Sequence, residues 1–301
     1  MKKIISIIAI VALLLVGVFA VTACTDDRET ITMYTESGFA PYEFVSSSGS
    51  IVGVDVAIMS EVAERMGMNL NIRDVAFDFI TSNVASDAGL AVGAAGLSIT
   101  DERRQTVDFS NIYASSTLVI VSAAANAYDS VADLAGKTVA VQQGTSGDLI
   151  ITDAADSGYE YVTTDENDEE ITVTVTAAGA TVQQYQTYAL CMTELISGRV
   201  DAILMDKLPA NSLVATASDP SAYAIEDASD LLSEDFGIAF KKGADETLVN
   251  TVNQVITEWL ANGNMAAYTE YYTALDAYEK GTGEAPVAPD GLKLSWDVNH
   301  R

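Results

Sequence analysis

The sequence predicts a two-lobed α/β protein, on three observations. Strand-like and helix-like segments alternate from residue 31 onward, the pattern of a mainly parallel sheet covered by helices. The chain has 301 residues, and once a leader is removed the remainder suits two lobes. It is 49% hydrophobic and its acids are scattered among apolar segments, so it folds instead of staying disordered.

The elements follow in order. Ile31–Thr35 is the first strand and ends beside Glu36, Phe39 and Pro41. Asp55 then caps a helix with the stripe Ile58, Met59, Val62 and Met66, stopped by Gly67. Asn69–Val75 and Val92–Ile99 are the next strands. Ligands of such sheets sit at the carboxyl ends of strands, where Glu36, Phe77 and Ser98 emerge. Thr117–Ala124 and Lys137–Gln143 are strands joined by a short helix from Ser130 to Gly136. Thr181–Tyr185 and Val200–Met205 flank a helical stretch that carries Cys191 and stops at Gly198. Asp245 starts a helix with Leu248, Val252, Val255, Ile256, Trp259 and Leu260 on one face, ended by Gly263.

The ends and the charge narrow the class. Lys2 and Lys3 precede an apolar run from Ile4 to Val21, then Thr22-Ala23-Cys24. A basic start, a short apolar core and small residues before a cleavage point describe a secretory leader, and Cys24 in that setting resembles the acylated cysteine of a lipobox. A permanent membrane span is the alternative, since the run is near the length needed to cross. Cys191 is then the sole cysteine left unmodified and reads as a buried structural thiol. Acids outnumber Lys and Arg by 43 to 15, and loss of Lys2 and Lys3 takes the formal charge from −28 to −30. Such a charge argues against nucleic acid or an anionic membrane surface as a direct partner.

One stretch concentrates the chemistry. Ser98 ends an apolar run, Thr100 can cap a short helical turn, and Arg103 lies within that turn. A hydroxyl, free N–H groups and a guanidinium meeting at one point suit a carboxylate; an ordinary surface turn with a solvated Arg fits the same residues. Gly144-Thr145-Ser146-Gly147, between a strand and a helix, offers N–H groups and hydroxyls of the kind found at anion-binding helix starts. Asp206 ends the strand VDAILM, as a ligand for a cation or as a plain helix cap. The single histidine is His300, in the tail, and no carboxylate pair suggests a shared catalytic site. No metal or cofactor is implied. TTDENDEE (163–170) reads as the acidic tip of a hairpin, solvated in preference to calcium-binding because it lacks the glycine of a calcium loop. TGEAPVAPDG reads as a linker.

The wording GLSITDERRQTVDFSNIY (96–113), with GFAPYEF (38–44), GVDVAIMSEVAERMG (53–67), DLAGKTVAVQQGTSGD (133–148), GRVDAILMD (198–206) and FGIAFKKGADETL (236–248), resembles the family 3 extracellular solute-binding proteins, the amino-acid receptors of ABC importers. The resemblance spans roughly residues 31 to 275. It implies a type II periplasmic-binding-protein-like fold with two hinge crossovers. The expected plan is a leader (1–23), a tether (24–30), lobe 1 (31–113 and 236–275), hinges at 114–117 and 221–235, lobe 2 (118–220, with an acidic hairpin insertion at 159–175) and a tail (276–301). It also implies a monomer that is not an enzyme, needs no cofactor, is lipid-anchored outside the membrane at Cys24, and works with a permease and its ATPase.

In the ligand cleft the resemblance implies Arg103, with Ser98, Thr145 and Ser146, on the ligand carboxylate, and Asp206 with the Ser98 hydroxyl on the ammonium. Phe39 and Phe77 match positions that flank the ligand side chain, and Glu36 hints at a cationic or polar one. Ala95 and Gly96 stand where several relatives carry hydroxyls, leaving the Gly96 carbonyl to accept from the ammonium. A dehydratase on the same fold, or a surface sensor or adhesin, are the competing functions.

Overall fold

In the computed structural model, which describes residues 28–165 and 167–292, two five-stranded sheets are joined by a two-stranded ladder. The first lobe contains β1 (Thr30–Thr35), α1 (Val54–Met66), β2 (Asn69–Asp74), α2 (Ile80–Ser86), β3 (Leu90–Gly93), α3 (Asp101–Thr106) and β4 (Val107–Phe109). The chain then crosses at Ala114–Ser116 into β5 (Leu118–Ala123), β6 (Thr138–Gln142), α4 (Ser146–Asp156), β7 (Thr181–Tyr185), α5 (Tyr188–Ile196), β8 (Ala202–Asp206), α6 (Lys207–Val214) and β9 (Tyr223–Asp227). It recrosses at Glu234–Phe236 and finishes with β10 (Ala239–Lys241), α7 (Glu246–Asn262) and α8 (Asn264–Glu279).

The sheets repeat one plan. The first runs β2-β1-β3-β10-β4 and the second β7-β6-β8-β5-β9. In each, three strands are parallel and the other two are reached by antiparallel pairing, so the sheets are mixed where the alternation predicted them mainly parallel. The antiparallel members follow from the recrossing: β10 enters the first sheet from the far side and pairs with β3 and β4. Residues 223–227, placed by the sequence reading inside the second crossover, are hydrogen-bonded along β5 as an edge of the second sheet. The crossing itself is the short ladder in which Ala114 faces Phe236 and Ser116 faces Glu234.

Helix α7 buries Leu248, Val252, Val255, Ile256 and Trp259, each large aliphatic contributing about 1.5–3 kcal/mol on leaving water. Asp245 caps it by accepting from the Leu248 N–H at 3.0 Å, and Gly263 ends it at φ 83°, as predicted. Helix α8, which the sequence reading did not separate, follows at once; its Met265, Tyr268 and Tyr272 are buried, and Tyr268 meets Trp259 edge-on at 4.6 Å. Because α8 runs to Glu279, the tail begins later than the predicted residue 276. The end of that tail, like Cys24 and the leader, lies outside the described residues.

Two local readings are corrected. The predicted strand Val92–Ile99 stops at Gly93, because Gly96 adopts φ 54° and breaks the extended path. Asp55 does not cap α1. The helix starts after Gly53, where any Cβ would lie 2.1 Å from the Tyr42 carbonyl oxygen, and Asp55 turns inward to accept the Gly96 N–H at 3.0 Å. Fully buried beside it is Glu43, whose two oxygens, like Asp55 Oδ1, have no hydrogen-bond partner among the described residues. Burial favours the protonated form of both carboxyls, and a protonated carboxyl can donate.

That acid pair makes stability pH-dependent. Burial raises Asp55 to about 6; burial, and then the Asp55 charge, hold Glu43 well above its ordinary value. A carboxyl whose folded pKa exceeds its unfolded one stabilises fully below the unfolded value and loses that stability as pH rises through the folded value. Melting temperature should therefore fall as pH rises from about 4 through 6 and beyond. Glu43→Gln should gain about 1–3 kcal/mol over the parent near pH 8 and little near pH 5, read from thermal melts. An equal effect at both pH values would contradict a Glu43 carboxyl kept protonated by burial.

Candidate interlobe binding site

The site lies where the two sheets face each other across the crossing ladder. Thr100 caps α3 by accepting the Arg103 N–H at 3.1 Å, which fixes the turn as predicted and aims the buried Arg103 side chain into the cleft. There Nη1 donates to the Ser98 carbonyl at 2.8 Å and Nη2 to the Gly144 carbonyl of the other lobe at 3.0 Å. The Phe77 ring lies 5.4 Å from the guanidinium carbon, a cation–π approach that shields the charge from water. Burial works against that charge, and Glu234 and Asp206 favour it.

Opposite stands the second lobe. Thr145 caps α4: its hydroxyl accepts from the Asp148 N–H and donates to the Gln142 carbonyl. Ser146, the first residue of α4, does face the cleft: its Oγ lies 3.5 Å from Ser98 Oγ. Asp206 ends β8 and precedes α6 yet makes no side-chain cap bond. It is buried; Ser116 interacts with its carboxyl, and its Oδ1 has no hydrogen-bond partner among the described residues. Burial, and then the Glu234 charge, push its pKa up. A carboxylate oxygen stranded this way is expensive unless a donor arrives.

Glu36 is also buried and accepts from Gln142 Nε2 of the second lobe at 3.1 Å; burial, then Asp74, raise its pKa. Phe77 covers Arg103, and Phe39 stacks on Tyr188 of α5 at 6.2 Å with planes 25° apart. Gly96 is required by that ring, since a Cβ there would come within 2.4 Å of Phe39. Arg103, Ser98, Ser146, Asp206, Glu36 and Phe39 are thus drawn to one interlobe zone, with Gly96 under the Phe39 ring.

The sequence reading missed Glu234, Tyr188 and Gln142. Glu234 Oε2 accepts from Ser98 Oγ at 3.0 Å and from Ser146 Oγ at 2.6 Å. Its only sequence signal was a place just before FGIAF, in a segment read as connection. Tyr188 opens a helix whose apolar residues fit a core equally well, and Gln142 lies on a buried strand.

Two lobes meeting across a polar, charge-bearing cleft are the architecture of a solute-binding module. Residues 31–274 match the model of the bacterial extracellular solute-binding proteins, family 3. The chain belongs to that family. The arginine-binding extracellular protein ArtP of Bacillus subtilis is 27% identical over 82% of the chain and 90% of its own length. The L-cystine-binding protein TcyJ of Escherichia coli is 27% identical over 83% and 85%. An ancestral arginine-binding protein solved with arginine superposes with a TM-score of 0.68, at 27% identity over 81% of the chain and 98% of its own. The type II two-lobed fold and the solute-binding class follow, and the dehydratase alternative falls with membership in a family of binding proteins.

Gly144 of the second lobe packs against Asp78 of the first. It holds φ 79°, and a Cβ there would lie 2.9 Å from Asp78 Cβ of the first lobe. Gly144→Ala should therefore prop the lobes apart, at a cost of about 1–2 kcal/mol from the left-handed backbone alone. Small-angle scattering should show a larger radius of gyration than the parent protein; an unchanged radius would mean that this approach does not limit closure.

Proposed function

We propose that the protein captures an amino acid with a cationic side chain between its lobes and hands it to the permease and ATPase of an ABC importer. The observation that supports this most is the pairing of opposite needs in one buried cleft. Arg103 offers a buried positive charge with the Ser98 and Ser146 hydroxyls beside it, and Asp206 offers an unpartnered carboxylate oxygen. A zwitterion answers both: its carboxylate goes to the guanidinium and hydroxyls, its ammonium to Asp206 and the Gly96 carbonyl.

The side chain then extends toward Glu36, with the Phe39 and Tyr188 rings along its stem and Phe77 at the guanidinium end. Burial of Glu36 makes an arriving cation the strongest partner for it, in keeping with relatives whose names record arginine. A neutral polar side chain is the second reading, because Glu36 already accepts one amide bond from Gln142.

The protein works as a monomer outside the membrane, held by a lipid on Cys24, and closes by rotation about the strands 114–116 and 234–236. Ligand favours closure because each lobe carries only half of its polar partners.

Arg103→Ala should cost about 3–5 kcal/mol of binding, roughly two to four decades of affinity for L-arginine, with the fold intact by circular dichroism. A loss below about tenfold in calorimetry would contradict the assignment of the carboxylate to Arg103.

A further inference from the structure

We infer that Glu234 is an internal stand-in for the ligand's carboxylate, a residue that sets affinity and selectivity by occupying the Ser98–Ser146 clasp until a ligand carboxylate displaces it. The inference rests on the proposed orientation of the amino acid in the cleft.

The geometry is specific. Glu234 belongs to neither lobe's sheet; it lies on the recrossing strand, paired with Ser116 of the first crossing. From there a single oxygen, Oε2, accepts one hydroxyl from each lobe, Ser98 at 3.0 Å and Ser146 at 2.6 Å. Among the acids acting on Arg103, its charge acts most strongly. A carboxylate that takes two hydroxyls beside a buried guanidinium is doing what the ligand's own carboxylate is expected to do. The two carboxylates cannot share the position, since like charges at such range in a desolvated site repel strongly. Half-buried on a short ladder, Glu234 can leave by side-chain rotation without unpairing its backbone.

Three consequences follow. The lobes are clasped in the free protein, because Glu234 bridges them as a ligand would. The apparent affinity for an amino acid is lowered by the fraction of molecules in which Glu234 holds the site. A cationic amine without a carboxylate escapes that competition, because Glu234 stays in place while Asp206 and Glu36 receive the cation.

Glu234→Ala and the near-isosteric Glu234→Gln test this with scattering on the free proteins and with calorimetry using L-arginine and agmatine, which has the same side chain but no carboxylate. The free variants should show a larger radius of gyration than the parent. Arginine should bind the alanine variant about tenfold or more tightly, the gain expected if Glu234 holds the site in nine molecules of ten, with a smaller gain for glutamine. Agmatine should bind no better than to the parent. An unchanged radius in both variants, or arginine affinity that stays level or falls, would overturn the inference. Should arginine bind none of the proteins, the reading of the ligand fails, and the scattering of the free variants still decides whether Glu234 clasps the lobes.

Discussion

A guanidinium taken out of water has to be matched on every side, and the cleft is organised around doing this for Arg103. Its two terminal nitrogens reach carbonyls on different lobes, Ser98 and Gly144, and an aromatic ring covers its face. Carbonyl dipoles solvate the charge but do not neutralise it, so anionic groups gather: Glu234 through the serine hydroxyls and Asp206 behind them. The acids are themselves penalised by burial, as their raised pKa values record. The result is a set of charges that only a partner of mixed sign completes.

The fold keeps these groups within reach of one another while letting them separate. Ser98 lies in the link after β3 and is bridged to Phe236, so the recrossing strand fixes both it and Glu234. Gly144 and Ser146 lie at the start of α4, in the other lobe. Two short strands carry the chain between the halves, and the bonds that span the cleft, such as Arg103–Gly144 and Glu36–Gln142, must open for the lobes to part. The buried Glu43–Asp55 pair sits behind the first lobe's wall and reaches the cleft through the Gly96 N–H. It holds in place the backbone on which the Phe39 ring rests.

Local signals made most of the fold legible. Thr100 and Asp245 cap where a side-chain oxygen three residues before a helical N–H should, and the stripe from Leu248 to Trp259 is buried as its spacing required, whereas Leu260, expected on the same face, is exposed. What failed depended on distant partners. Asp55 has the chemistry of a cap but is pulled inward by Gly96. Residues 223–227 carry too weak a pattern to announce an edge strand, which exists because β5 offers an open side. In the site, Asp206 was visible because it ends a buried strand and Arg103 because it lies in the first turn of a capped helix, whereas Ser98 lies in the link between β3 and α3. Glu234 and Tyr188 were not visible, since nothing local distinguishes an acid or ring that faces a cleft from one that faces solvent or core.

The charge arrangement, more than the fold, selects the ligand. Relatives at about the same identity are named for arginine and for cystine, so resemblance alone does not choose between side chains; in the proposed reading Glu36, the one acid assigned to the side chain, makes that choice in favour of a cation. A thermal-shift screen of the twenty amino acids tests this directly, because a ligand that binds the native state raises its melting temperature. Arginine or lysine should give the largest rise, with glutamine smaller and glutamate and aspartate without effect. A largest rise for glutamate or aspartate would contradict a cleft built to complete its acids with a cation.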